Sequence, residues 1–294
     1  MQNLKKRFQL FHKHFPYLSI QEQIENFAVF DGLELNNIQL NTNVFENIKR
    51  YIIDDFSKLK TEFYDDKDMK VILQKLALGD RKQYAIYKNK KFSQKRGRML
   101  YKELFDNQII SKEFTREKIL KSSKHKPLKK ELRRYSAENK LRFTKNFHRF
   151  WYTFISPYED KMEQKDENII KNIDKNLEKY ISLTFEELSN ELIKEKYFNL
   201  NIVETGSYWD KNIEIDMLSK DINGNYIVGE CKWTNQKICK NILRKLQSKV
   251  KKMDFEVTKF ALFSKNGFSS TFKKEKKDDT ILFDLEMFKR LNND

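Results

Sequence analysis

Three side chains in the last third of the chain have the types and spacing for hydrolytic chemistry: Asp216, Glu230 and Lys232. They lie in two β-patterned runs, NIEIDMLSKD and NYIVGECKW, joined through Gly224 in an Asn-Gly-Asn turn that favours a hairpin. Alternation places Ile213, Ile215 and Met217 on one face of the first run, with Glu214 and Asp216 on the other. In the second run Val228, Glu230 and Lys232 share a face opposite Ile227, Gly229, Cys231 and Trp233. Pairing the two runs brings two carboxylates and an amine to one spot. Burying two carboxylates side by side in apolar strands is costly unless a cation neutralises them. The expected cation is Mg²⁺ or Mn²⁺, held by Asp216 and Glu230 with waters retained. Such an ion acts as Lewis acid and template for in-line attack on a phosphodiester. Lys232 would orient or deprotonate the attacking water, or stabilise charge at phosphorus. An E-x-K pattern alone is common, and a structural salt bridge on a sheet face is the competing reading.

These residues need a scaffold. A helix containing FEELSNELI precedes the strands, and LNIVETGSYWD reads as a strand before the hairpin. After it, ICKNILRKLQSKVKKM is an amphipathic helix with Ile242, Leu246 and Val250 inward. Its Lys240 and Gln247 are candidates to lean toward the site or toward phosphates, against a plain reading as surface residues. TKFALFSKNGF and TILFDLEMF supply two further strands, completing a central sheet flanked by helices.

Charge is unevenly distributed. The chain carries +16 overall, yet residues 81–149 hold 23 basic and 6 acidic residues, a net +17. A block carrying all the excess reads as a phosphate-binding surface, with an acidic membrane or protein as the other class of partner. Residues 68–110 have the shape of a helix-turn-helix. MKVILQKLALG is a helix ended by Gly79, YAIYKNK is a short second helix, and Ser93 caps a third, SQKRGRMLYKELFDNQ. Met99, Leu100, Leu104 and Phe105 are its expected inward residues. Lys95, Arg96 and Arg98 crowd its first turns, where a recognition helix meets the major groove of double-stranded DNA. IISKEFTREKIL and KSSKHKPLKKELRRY would form a β-wing with a basic tip, and His125 there reads as a surface residue. The aromatic stretch RFTKNFHRFWYTFISP reads as core rather than as a base-stacking platform. YEDKMEQKDEN, which follows, reads as a linker or a frayed helix start.

Upstream, IQEQIENFAVF places Ile20, Ile24, Phe27 and Phe30 at helical spacing before an Asp31-Gly32 break, and a second helix is expected around Val44–Leu59. His12 and His14 read as surface residues. Cys231 and Cys239 are too few for a disulfide framework or a four-ligand zinc site. No signal peptide or membrane-spanning run is seen, so a cytoplasmic protein without membrane association is expected.

E-I-D, G-E-C-K-W and the upstream G-S-Y-W-D resemble the C-terminal domain attached to many archaeal and bacterial AAA+ ATPases, a domain of uncharacterised function in the PD-(D/E)XK nuclease superfamily. By that resemblance Asp216, Glu230 and Lys232 match the catalytic motif. Glu186 of F-E-E would be the helix carboxylate that supplements the metal site, with Glu187 as second choice. Trp209 and Asp210 match a family motif, and Ile215 stands where the superfamily motif's proline would be. R-F-W-Y and ILQKLALG are similar to the segments that precede this domain in those ATPases, and EQIENFAVFDGL is similar to their lid. None of the seven glycines is followed by Lys, so the phosphate loop of their motor is absent.

The resemblance implies an α+β chain in three parts. Residues 1–65 form a helical, degenerate lid-like region, 66–156 a basic winged helix, and 157–294 an α/β restriction-endonuclease-like domain. The expected function is a Mg²⁺-dependent DNA nuclease that docks duplex DNA through the winged helix. The alternatives are a catalytically idle DNA-binding or regulatory protein and a partner module for a separate ATPase.

Overall fold

The structure is a computed structural model and describes residues 3–64, 66–79, 81–82, 93–117, 137–162, 167–210, 212–253, 255–274 and 277–292. The proposed second helix of the helix-turn-helix, most of the wing and His125 lie outside the described residues.

The architecture is mixed α and β, a helical N-terminal region followed by a sheet with helices on both faces. Helices Leu4–His14 and Ile20–Phe30 come first, the second closed by a capping box between Ser19 and Glu22. The helix expected around Val44–Leu59 is interrupted: an α-helix Val44–Ile48 runs into a π-helical turn Lys49–Ile53, and a separate helix follows at Phe56–Lys60. Helix Lys67–Ala77 ends at Gly79, whose φ of 106° is the left-handed conformation a helix stop requires.

Helix Gln94–Asp106 is capped by Ser93, whose hydroxyl accepts the Arg96 N–H at 3.2 Å. Its buried stripe is Gly97, Leu100, Tyr101 and Leu104. Tyr101 therefore takes the inward place expected for Met99, which is exposed, because the i, i+3, i+4, i+7 row falls one residue later. The strands β1, Ile110–Glu113, and β2, Lys140–Phe143, pair antiparallel as the base of a hairpin.

The aromatic stretch is core. An α-helix Asn146–Phe150 passes into a π-helical turn Trp151–Ile155, with Trp151 stacked on Phe63 at 4.1 Å between ring centroids. The polar segment after it holds a short helix, Glu159–Met162, with Met162 buried and Lys70 paired to Glu159 at 2.7 Å. The long helix Glu167–Leu192 then crosses the molecule. Its apolar face meets helices Leu4–His14 and Ile20–Phe30 as well as the sheet, so one core runs from Phe8 to Leu291.

The sheet has five strands in sequential order: β3 (Ile202–Trp209), β4 (Glu214–Asp221), β5 (Tyr226–Lys232), β6 (Val257–Ser264) and β7 (Thr280–Phe283). The first three are antiparallel, and β6 and β7 continue parallel to β5. Gly224, at φ 87°, turns β4 into β5, and the Asp221 carboxylate accepts the N–H groups of Asn223 and Asn225 across that turn. One sheet face packs Met217, Trp233 and Phe263 against Phe185 and Leu188 of the long helix. The other packs Leu218, Val228 and Leu262 against Leu243 and Leu246 of helix Lys240–Val250. No helix among the described residues is long and apolar enough to cross a membrane.

Candidate active site

Strict alternation does not hold along β4. Gly206 faces Leu218 while Tyr208 faces Ile215, so β4 carries one extra residue between them. The bulge puts Ile215 in the cluster of Leu218 and Val228, while Met217 joins the opposite cluster. The expectation that Ile215 and Met217 share a face fails here. Bulges re-aim side chains beside functional sites, and Asp216 lies within this one.

The β4–β5 ladder ends at Met217↔Gly229. Beyond that point backbone polar groups need other partners. Asp216 Oδ2 accepts the Cys231 N–H at 2.8 Å, and Asn190 Nδ2 of the long helix donates to the Asp216 carbonyl at 3.2 Å. Thr205 holds the Asn190 side-chain oxygen at 2.8 Å, which fixes the amide's orientation. Splayed strands capped by side chains thus hold Asp216 where Glu230 and Lys232 also gather.

Lys232 Nζ donates to Glu230 Oε1 at 2.6 Å. Lys249 Nζ, from helix Lys240–Val250, donates to the other oxygen at 3.3 Å. Glu230 is therefore bracketed by two ammonium groups. Lys249 is thus the residue of that helix that meets the carboxylate, rather than the Lys240 and Gln247 that the sequence suggests. The signal was available in the helical wheel, which puts Lys249 on the flank next to Ile242.

Glu186 stands on the long helix one turn before Asn190, on the face that meets Asp216. Burial, with the Asp216 charge beside it, pushes the Glu186 carboxyl up to about 8. Burial, reinforced by Glu230, raises Asp216 to about 6. Lys232 is pushed above its usual range: burial opposes its charge, but the bond to Glu230 outweighs it. Glu187, the second choice for the helix acid, is committed elsewhere, accepting from Arg142 Nη1 at 2.8 Å. Among the described residues no three His, Cys, Asp or Glu side chains are gathered as a ready metal cage. Asp216 has Glu186 and Glu230 within electrostatic reach, but the trio is not assembled around one point.

The raised carboxyls give a pH prediction. A carboxyl with a raised folded pKa contributes stability that is fully present below its unfolded value and lost as pH rises through the folded value. For Glu186 that window runs from 4.5 to about 8. Glu186→Gln cannot ionise, so its melting temperature relative to wild type should climb across this window in chelator. A difference that stays flat with pH would refute the assignment.

The basic block is less free than its charge suggests. Arg96 is half-exposed and pairs with Asp66, the N-cap of helix Lys67–Ala77, and with Asp68 at 3.4 Å. Lys95 and Arg98 are exposed. Several other cations of the block turn toward the sheet. Arg142 donates to both oxygens of Glu113 (2.7 and 2.5 Å) and to Ser207 at 2.9 Å. Lys140 pairs with Glu214 at 2.5 Å and sits 4.5 Å over the Trp209 ring, while Trp209 Nε1 donates to the Glu138 carbonyl at 2.9 Å. Arg116 pairs with Glu204 at 3.0 Å. The hairpin is thus bonded to the edge strand β3, and Trp209 acquires a structural role. Asp210 acquires one too: its carboxylate accepts the N–H groups of Asn212 and Ile213 at 2.6 and 2.8 Å, shaping the β3–β4 turn.

The two histidines near the N-terminus are half-buried and hydrogen-bonded locally, His12 to Gln23 and His14 to Leu10 and Asn36.

A family described as archaeal and bacterial proteins of unknown function matches residues 151–242. The match spans the second half of the aromatic segment from Trp151, the long helix, β3, β4 and β5, and so includes Glu186, Asp216, Glu230 and Lys232. No curated protein matches the chain. Among solved structures, protein VC1899 from Vibrio cholerae is similar at 13% identity and a TM-score of 0.30, over 78% of this chain and 56% of that one. The chain therefore spans little more than half of that protein's length.

Proposed function

We propose that the chain is a divalent-metal-dependent nuclease acting on duplex DNA, with Asp216, Glu230 and Lys232 as its reactive centre and Glu186 as supplementary acid. The observation that carries this reading is the splayed β4–β5 hairpin, which sets Asp216 at a bulge beside an E-x-K strand, where burial raises the carboxyls of Asp216 and Glu186. Hard oxygen donors of this kind suit Mg²⁺ or Mn²⁺, which needs only one or two protein carboxylates and fills its remaining positions with water. When bound, the ion would polarise the phosphoryl oxygen and lower the pKa of a water. The chain's own part is to hold that charge, with Asp216 anchored by the Cys231 N–H, and to place the Lys232 ammonium at the edge of the site. Lys95 and Arg98 would dock the duplex, with Arg96 supporting the helix through Asp66. On this reading the chain corresponds to the docking and cutting parts of the ATPases it resembles.

One observation favours a second reading, a catalytically idle DNA-binding protein. Both oxygens of Glu230 are already held by lysines, which neutralise it without any metal. Incubation of supercoiled plasmid with the purified chain separates the two. Nicking that requires Mg²⁺ or Mn²⁺ and stops in chelator supports the nuclease. Salt-sensitive binding with no cleavage under either metal supports the idle protein.

A further inference from the structure

We propose that the polar face of helix Lys240–Val250 is a second nucleic-acid docking surface, a track for backbone phosphates that leads into the site. The inference rests on the nuclease reading of the sheet for its direction, though its evidence is the helix itself. Apolar Leu243 and Leu246 turn toward the sheet, so Arg244, Lys245 and Ser248, at i, i+1 and i+4, face solvent. With Asn212, Lys249 and Lys252 they line an open cavity of about 550 Å³. Four cations and three neutral hydrogen-bonding side chains (Asn212, Asn241 and Ser248) in one concavity complement a polyanion rather than a neutral ligand.

Continuity with the site comes from Lys249. Lys249 lines this groove, and its ammonium donates to Glu230 at 3.3 Å. That bond joins the groove to the carboxylate centre. A phosphate chain lying along Arg244 and Lys245 would therefore pass directly beside Glu230. Exposed Lys95 and Arg98 sit on a different element, so the two surfaces are separable by mutation.

The test measures binding rather than cleavage. A fluorescein-labelled DNA duplex is titrated in chelator over a series of salt concentrations, with wild type and the triple variant Arg244→Gln, Lys245→Gln, Lys252→Gln. Each phosphate contact contributes about 0.9 to the slope of log affinity against log salt, so the triple variant should be shallower by about two to three and bind on the order of tenfold more weakly. Arg244→Glu alone should move both readings the same way. Its thermal melt should match wild type, since the side chain is exposed. Unchanged affinity and slope in the triple variant would overturn the track even if the wild type cleaves DNA well. A wild type that binds through these residues and never cleaves would support the track and end the nuclease reading. Binding to phosphatidylserine vesicles with none to DNA would overturn the proposal in favour of a membrane surface.

Discussion

Asp216→Ala and Lys232→Ala are each expected to lower metal-dependent plasmid nicking by on the order of a hundredfold or more, with duplex binding in chelator nearly unchanged. Removing one preorganised charge from a catalytic site commonly costs this much, because nothing else is positioned to replace it. The two variants fail for different reasons. Asp216 is a carboxylate in the bulge, and its loss removes both a cation donor and the acceptor of the Cys231 N–H. Asp216→Asn separates these effects, since an amide oxygen can still accept that N–H while supplying no charge. It should retain the wild-type fold and lose activity. Lys232 is partly exposed, at 32% of its side-chain surface, so its ion pair with Glu230 adds little to stability and the variant should fold normally. Its remaining neighbour Lys249 would keep Glu230 neutralised. Equal nicking by wild type, Asp216→Ala and Lys232→Ala would remove the site from this function altogether.

Much of the scaffold for this site is legible in the residues. The alternation in NYIVGECKW, the Asn-Gly-Asn turn and the Ser93 cap each follow from short-range rules, and each is present. The bulge in β4 is not legible, because it arises from pairing with β3: two strands of unequal residue count must match between Gly206 and Tyr208. That one long-range fact displaces Ile215 and re-aims Asp216. The same limit explains Arg96, whose partners Asp66 and Asp68 lie about thirty residues away. It explains Lys249 as well, since reaching Glu230 depends on how a helix lies across a sheet. Net charge over 81–149 shows that the block is basic. It cannot show that Arg142, Arg116 and Lys140 are spent on acids of Glu113, Glu204, Glu187 and Glu214.

Arg142→Met should destabilise the chain by about 3 kcal/mol, the largest loss expected from any single ion-pair residue here. Arg142 is a planar fork holding Glu113 bidentately, Glu187 through its other nitrogen and the Ser207 hydroxyl besides. Glu113 and Glu187 are each only 17% exposed at the side chain, so removing the guanidinium strands two poorly solvated carboxylates close together. Arg81, 3.4 Å from Glu113, relieves part of that charge, which keeps the estimate below the upper range for buried networks. Urea unfolding should show a lower midpoint with an unchanged slope, as befits lost stability without a changed unfolded state. Pairing Arg142→Met with Glu113→Gln should then cost clearly less than the two changes summed, by about 1 kcal/mol or more. A single-variant loss under about 0.5 kcal/mol, or strict additivity, would show that the network is incidental. The functional consequence follows from position. Arg142 lies on β2 of the hairpin and Ser207 on β3 of the sheet, so this network ties the β1–β2 hairpin to the edge of the sheet that holds the site. Glu187 is adjacent to Glu186, whose carboxyl Arg142 also helps to offset. Loosening Arg142 should therefore reach the site through the long helix, and a variant that still folds should show a Glu186 carboxyl raised further than in wild type.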